Sequence, residues 1–235
     1  MNNKCHKANG NELLRVFRRD LIDRIAIGIA HEIRNPLTVV KGYLQLQAKK
    51  SAYRSESQEI VLQELLRIEA LVDNIVSLAH SKALQKNPEN LNDILAGIYP
   101  LIQNIARKKG ITTELKLDDS LPLLDLHAGE IEQLILNLAS NGIEAMPGKG
   151  KLTIGVSRRT SNVLLYVQDK GSGIPASQIE QIFDPFFTTK AGNTGLGLAV
   201  SLNIVERHQG EIEIASTMGV GSIFKILFPI TAKSE

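Results

Sequence analysis

Two successive runs of helical apolar spacing constrain this chain before anything else does. Ile22, Ala26, Ile29, Ile33, Leu37, Val40 and Leu44 fall on one side of a helix advancing ~100° per residue. Further on, Val61, Leu65, Ile68, Val72, Ile75 and Ala79 recur with 4-3-4-3-4 spacing. The polar segment from Ser51 to Ser57 reads as the turn between them. The first helix is expected from about Leu13 to Lys49, after a leader, residues 1–12, that carries no period. Two long helices joined by a short turn make an antiparallel hairpin. A lone hairpin leaves half of its apolar stripe wet. A two-fold dimer closing a four-helix bundle covers it, and packing on the rest of the chain is the alternative.

Within the first helix, His31-Glu32-Ile33-Arg34-Asn35-Pro36 carries chemistry. His31 sits roughly 160° from the centre of the apolar stripe and so faces water. Asn35, four residues on, shares that face. A solvent-facing imidazole beside a carboxylate suits a nucleophile: Glu32 can accept the Nδ1 proton and leave Nε2 free to attack. It does not suit an H-E-x-x-H metal site, because Asn35 holds the second His position. A plain surface histidine is the ordinary explanation. Pro36 weighs against it, because proline inside a helix costs ~3 kcal/mol and a functional kink is one reason to bear that.

The 235 residues allow one or two domains, and 43% hydrophobic content supports a core. That core is built from Leu, Ile, Val and Ala, since aromatics are 4% and Trp is absent. A net charge of +2 offers no strong field for nucleic acid. The single Cys5 cannot form an internal disulfide, which fits a reducing cytosol. No apolar run reaches the ~18–20 residues of a membrane span. The expectation is a cytoplasmic chain, or the cytosolic end of a membrane-anchored one.

The helical period is lost at 85–91, which contains Pro88, and a domain boundary is expected in that linker. The expected division is 13–84 for the hairpin and 92–235 for an α+β domain. There, helices are expected over about 91–109, 129–146 and 195–208. Strands are expected near 111–117, 122–127, 152–157, 163–168, 212–215 and 222–228.

Three clusters in this half are chemically loaded. Asn137 and Asn141 share a helix face, with Glu144 one turn later, and two amide oxygens can serve a hard cation such as Mg²⁺. Asp169-Lys170-Gly171-Ser172-Gly173 follows a strand; a buried carboxylate there accepts from an exocyclic amine such as adenine N6, whereas a guanine carbonyl would oppose it. Thr194-Gly195-Leu196-Gly197-Leu198 opens a helix whose free N–H groups and dipole suit phosphate. It is not a P-loop. Between the last two, residues 182–190 hold three of the six Phe residues and Lys190, which suggests an aromatic-anchored lid with a lysine within reach of phosphate.

In this order the motifs closely resemble those of the sensor histidine kinases of two-component systems. His31 to Pro36 is similar to the family's H box, Gln133 to Ala145 to its N box, and Asp169 to Gly173 to G1. Phe183 to Lys190 resembles the F box, and Thr194 to Leu198 resembles G2. The wording is most similar to sporulation-type kinases of spore-forming bacteria. The resemblance implies a dimerisation and histidine-phosphotransfer hairpin followed by a two-layer ATP-binding sandwich of Bergerat type. It makes His31 the phospho-acceptor, Glu32 its base, and Asn35 a positioner in transfer or dephosphorylation. Asn141 and Asn137 would hold Mg²⁺, and Asp169 would read adenine. Gly171, Gly173, Gly195 and Gly197 would shape the pocket and lid, with Lys190, Thr194, Leu196 and Leu198 beside the nucleotide. Three positions depart from the family pattern. Gly142 replaces an alanine, which is expected to loosen its helix. Glu144 stands where many members carry a basic residue near the phosphates. Asn193 replaces the first glycine of G2.

The implied activity is that of a protein-histidine kinase: ATP-dependent autophosphorylation, then transfer to an aspartate on a response-regulator receiver domain, in a sporulation-type phosphorelay. The hairpin also leaves room for an inhibitory protein. Two rivals use the same residues differently. A gyrase-like or chaperone-like ATPase would pass the phosphate to water, and the H box on its own hairpin argues against it. A non-catalytic scaffold would have no use for the intact Asn137, Asn141 and Asp169.

Overall fold

Alternation of period two, not aromatic bulk, builds the larger unit. The computed structural model describes residues 6–7, 33, 36–44, a series of positions between 60 and 78, and 85–230 apart from 191–192. His31, Glu32, Asn35, the turn at 51–57 and all of the leader except His6 and Lys7 lie outside the described residues; those two, expected without regular structure, pair antiparallel with Ile214 and Glu213 at the sheet edge.

Among the described residues, eight strands and three helices have definite bounds, beside the helical stretches of the hairpin region. The strands are β1 (His6–Lys7), β2 (Asn87–Glu89), β3 (Ile111–Lys116), β4 (Leu124–Leu126), β5 (Gly150–Arg158), β6 (Asn162–Gln168), β7 (Glu211–Thr217) and β8 (Gly221–Pro229). The helices are α1 (Leu91–Lys108), α2 (Ala128–Glu144) and α3 (Gly197–Arg207). The main sheet runs β1-β7-β8-β6-β5-β3, with β3 and β5 parallel and the other pairs antiparallel. Ile154, Leu165, Ile214 and Ile226 point from four strands to one face and are buried there with Leu95, Leu134, Leu138 and Val200 of the helices. This is a helix layer on one side of a mixed sheet, with the core between them.

Local chemistry fixes the helix ends. Asn90 caps α1 by accepting from the Asn92 N–H at 2.9 Å. His127 caps α2 through Nδ1, which accepts from the Glu130 N–H at 3.2 Å.

The segment expected to be a bare linker is partly a strand. β2 pairs antiparallel with β4 in a small second sheet, Pro88 opposite Asp125. Three residues are too few to show a period, and Pro88 masked the extended backbone that suits an edge strand. The tether therefore starts against the α+β unit.

The hairpin region is helical at 36–44 and at the described positions from 60 to 78. No helix among the described residues is long and apolar enough to cross a membrane. Members of the expected stripe stand in solvent: Leu37 is 48% exposed, Leu44 52%, Leu65 44% and Val72 43%. Leu71, outside that stripe, is buried, and Leu78 packs against the α+β core. The second hairpin helix thus has two apolar faces, and the 4-3 spacing revealed only one. The face bearing Leu71 and Leu78 docks through polar contacts as well. Gln133 Nε2 donates to Asn74 Oδ1 at 3.3 Å, and the Arg207 guanidinium donates to the Ser77 carbonyl and hydroxyl at 3.3 and 3.1 Å.

Candidate nucleotide site

α2 ends where its Asn ladder meets the cavity. Asn137, Asn141 and Glu144, spaced by four and three, all line a cavity of about 440 Å³. Asp169, at the exit of β6, Gly173 and Lys190 line it too. The three clusters that lie far apart in sequence therefore share one space.

Asp169 is buried and held by backbone. Its Oδ1 accepts from the Gly171 N–H at 2.8 Å and the Ser222 N–H at 3.3 Å. Burial raises its carboxyl above the ordinary range; those two N–H groups and the Lys190 charge oppose the rise. With Oδ1 taken, Oδ2 is the acceptor left for a ligand donor.

Gly142 faces the same carboxylate. A Cβ there would lie 2.8 Å from Leu152 Cδ1 and 3.2 Å from Asp169 Cβ. The glycine does not loosen α2; it lets β5 and Asp169 press against the helix.

Asn137 Nδ2 donates to the Gly197 carbonyl at 3.2 Å, which ties α2 to the first turn of α3 and leaves Oδ1 as its acceptor end. Asn141 lines the cavity, and its backbone carbonyl accepts from the Ala145 N–H and from Lys190 Nζ. Two amide oxygens on one helix face are a donor set that a hard cation accepts.

The described residues on either side of 191–192, from 174 to 190 and from 193 to 196, are pinned rather than free. Phe183 is buried in the core, and the Phe186 N–H donates to the Gly195 carbonyl at 3.1 Å. Gly195 adopts φ 68°, and a Cβ there would lie 2.5 Å from the Phe186 carbonyl carbon, so only glycine permits this approach. Thr194 Oγ1 accepts from the Leu196 N–H at 3.3 Å. Thr194, Gly195, Gly197 and Leu198 line the cavity. Leu196 is instead a buried core residue, and Gly171 sits behind the wall beside Ala145, whose carbonyl accepts from the Ser172 N–H. Lys190 Nζ is 3.0 Å from Glu144 Oε2.

Sequence reasoning missed part of the wall. Ser222 and Phe224 come from β8, and Leu71 and Asn74 come from the hairpin. Alternation on β8 puts 222 and 224 on the core side, a usable signal. For Leu71 the only signal was its distance of seven from Leu78, hidden beneath the stronger stripe.

At the far end of α3 lies a buried polar junction. Arg207 pairs with Glu130 and receives Lys86 Nζ on its carbonyl. His208 Nδ1 is 2.8 Å from the Ile204 carbonyl, and its Nε2 accepts from the His127 N–H at 3.0 Å, the pattern of a neutral ring. α3 thus spans from the cavity to the hairpin.

Comparison with known proteins accounts for both units. Residues 127–232 match the family described as histidine kinase-, DNA gyrase B-, and HSP90-like ATPase. Residues 22–84 match the His Kinase A (phospho-acceptor) domain. The chain belongs to the histidine kinase family. A gyrase-like ATPase alone would not account for the second match. Sporulation kinase C of Bacillus subtilis is 34% identical over 91% of this chain and 50% of its own length. Sensor histidine kinase ZraS of Salmonella typhi is 34% identical over 98% of this chain and 51% of its own length. The chain spans about half the length of these curated relatives. Among solved structures, the catalytic domain of histidine kinase ThkA is 31% identical, with a TM-score of 0.57 over 62% of this chain and 96% of that one. ThkA in complex with the response regulator protein TrrA gives 0.72 at 28% identity over 97% of this chain and 66% of that one. The family's two-part fold, a helical hairpin followed by an α/β sandwich, is the fold of this chain.

Proposed function

We propose that the chain phosphorylates His31 from ATP and passes the phosphoryl group to an aspartate of a response-regulator receiver domain. The observation that carries this reading is the convergence of Asn137, Asn141, Asp169 and the Gly195–Gly197 loop on one cavity that also touches the hairpin.

Asp169 Oδ2 accepts from adenine N6, while Gly173 lets the ring approach the backbone. The Thr194–Leu198 loop and the start of α3 offer N–H groups to the phosphates. Asn141 and Asn137 are the residues that would hold Mg²⁺, and the ion would supply charge stabilisation on the phosphoryl oxygens. His31 Nε2 attacks the terminal phosphorus, the P–O bond to ADP breaks, and Glu32 holds the Nδ1 proton. Asn35 then positions the acceptor aspartate or a water. The domain division at 85–91 is part of this reading, with the β2 pairing restricting how the tether moves. The exposed hairpin stripe supports a homodimer, and its remaining surface leaves room for an inhibitory protein. The sporulation kinases among the relatives, found beside ZraS at similar identity, support a sporulation-type phosphorelay as the circuit to test first.

The test is incubation with γ-labelled ATP and Mg²⁺, wild type beside His31→Gln, followed by acid. Acid-labile label lost in the variant is the expected result. Label that persists in His31→Gln would move the acceptor elsewhere, and ATP binding without label would favour a scaffold. Transfer from the labelled chain to a receiver domain of a sporulation phosphorelay, faster than to unrelated receivers, tests the narrower assignment.

A further inference from the structure

Glu144 and Asn193 are two of the three departures from the family pattern, and they touch. Asn193 Nδ2 donates to Glu144 Oε2 at 2.7 Å, and Lys190 Nζ donates to the same oxygen at 3.0 Å. Lys190 also reaches the Asn141 carbonyl at 3.4 Å. All four residues line the nucleotide cavity. Two donors from the loop, one of them cationic, converge on a single carboxylate oxygen from the end of α2. Convergent N–H donors with a positive charge are the chemistry of a phosphate subsite. Here that position is taken by a side chain.

We infer that Glu144 is an internal competitor for the terminal phosphate of the nucleotide. This rests on the nucleotide reading above. A triphosphate must exchange its own oxygen for the Glu144 carboxylate in front of Lys190 and Asn193. A nucleotide that lacks the terminal group leaves the Glu144–Lys190 pair in place. Glu144 is therefore a specificity-determining residue: it lowers affinity for the triphosphate relative to the diphosphate. When the phosphoryl group departs, Glu144 recaptures Lys190 and the loop returns to its resting contacts. Both side chains are about one-third exposed, so the pair is worth what a partly screened ion pair is worth.

The experiment is equilibrium binding of ATP, ADP and adenosine, each with Mg²⁺, to the full chain and to Glu144→Gln. Gln keeps the shape and removes the charge. ATP affinity should rise roughly two- to fivefold while ADP and adenosine change little. The gain should shrink at high salt and should vanish in a Lys190→Gln background. Unchanged adenosine binding shows that the variant is folded. A merely structural Glu144 would weaken all three ligands alike, and that result would overturn the inference. So would an unchanged ATP-to-ADP ratio, or weaker ATP binding that tracks Mg²⁺ concentration and marks Glu144 as a metal ligand. Wild type that binds none of the three would remove the nucleotide reading itself, and the inference with it.

Discussion

Gly142 is worth more to this site than its missing side chain suggests. Alanine is the better helix former by ~1 kcal/mol, so on propensity alone Gly142→Ala would stabilise α2. Its Cβ, however, would meet Leu152 Cδ1 at 2.8 Å and Asp169 Cβ at 3.2 Å. Overpacking of this kind typically costs ~1–3 kcal/mol. The substitution should therefore be neutral to destabilising by about 1–2 kcal/mol in urea unfolding, and it should weaken ATP binding by shifting Asp169. Trimming the obstruction with Leu152→Val in the same chain should recover part of the ATP affinity. A plain gain in stability with full ATP binding would refute the packing argument. Asp169 itself was legible, because a carboxylate at a strand end followed by Gly-x-Gly is a local pattern. The contact of Gly142 with Leu152 was not, because nothing near residue 142 encodes which strand lies beneath it.

At the scale of elements, the C-terminal end of α3 carries two titrations of opposite sign. Burial pushes His208 down to about 4, against its Ile204 hydrogen bond, and the nearby Lys86, Arg207 and His127 push the same way. Burial pushes Glu206 up to about 7, and both of its carboxylate oxygens are buried without a hydrogen-bond partner among the described residues. Unfolded, His208 binds a proton below ~6.5 that the folded chain refuses, so its contribution to stability is lost as pH falls from ~6.5 towards 4. Glu206 holds a proton when folded that the unfolded chain releases above ~4.5, so its contribution is lost as pH rises from ~4.5 to 7. These two contributions offset each other between about pH 4.5 and 6.5. Glu206→Gln should then be more stable than wild type at pH 7.5, by about 1–2 kcal/mol, and equal to it near pH 4.5. Denaturant midpoints at the two pH values check this; equal stability at pH 7.5 would rule it out. The positions of α1, α2, α3 and the long strands were legible from period and caps. β2 was not, since a three-residue strand containing Pro88 has no period to read.

For the whole molecule, the second hairpin helix decides the assembly. Leu65 and Val72 on it, with Leu37 and Leu44 on the first helix, form an apolar surface that the single chain leaves wet. Burying such side chains is worth ~1.5–3 kcal/mol each. The chain should therefore run as a dimer in light scattering at micromolar concentration, and Leu65→Arg with Val72→Arg should give a folded monomer. A wild-type monomer would contradict the bundle. The exposed stripe could be read from sequence because it repeats. The docking face of Leu71, Asn74 and Leu78 could not, because its partner is a differently folded unit. Leu71 and Asn74 also form part of the wall around the cavity proposed to take the nucleotide. Occupancy of that cavity and docking of the hairpin are therefore reciprocal quantities. Whatever free energy a bound nucleotide adds to or takes from the docked arrangement, docking must return to the nucleotide's affinity in equal measure. On the proposed nucleotide reading, any change that undocks the hairpin alters ATP affinity by taking Leu71 and Asn74 out of the wall.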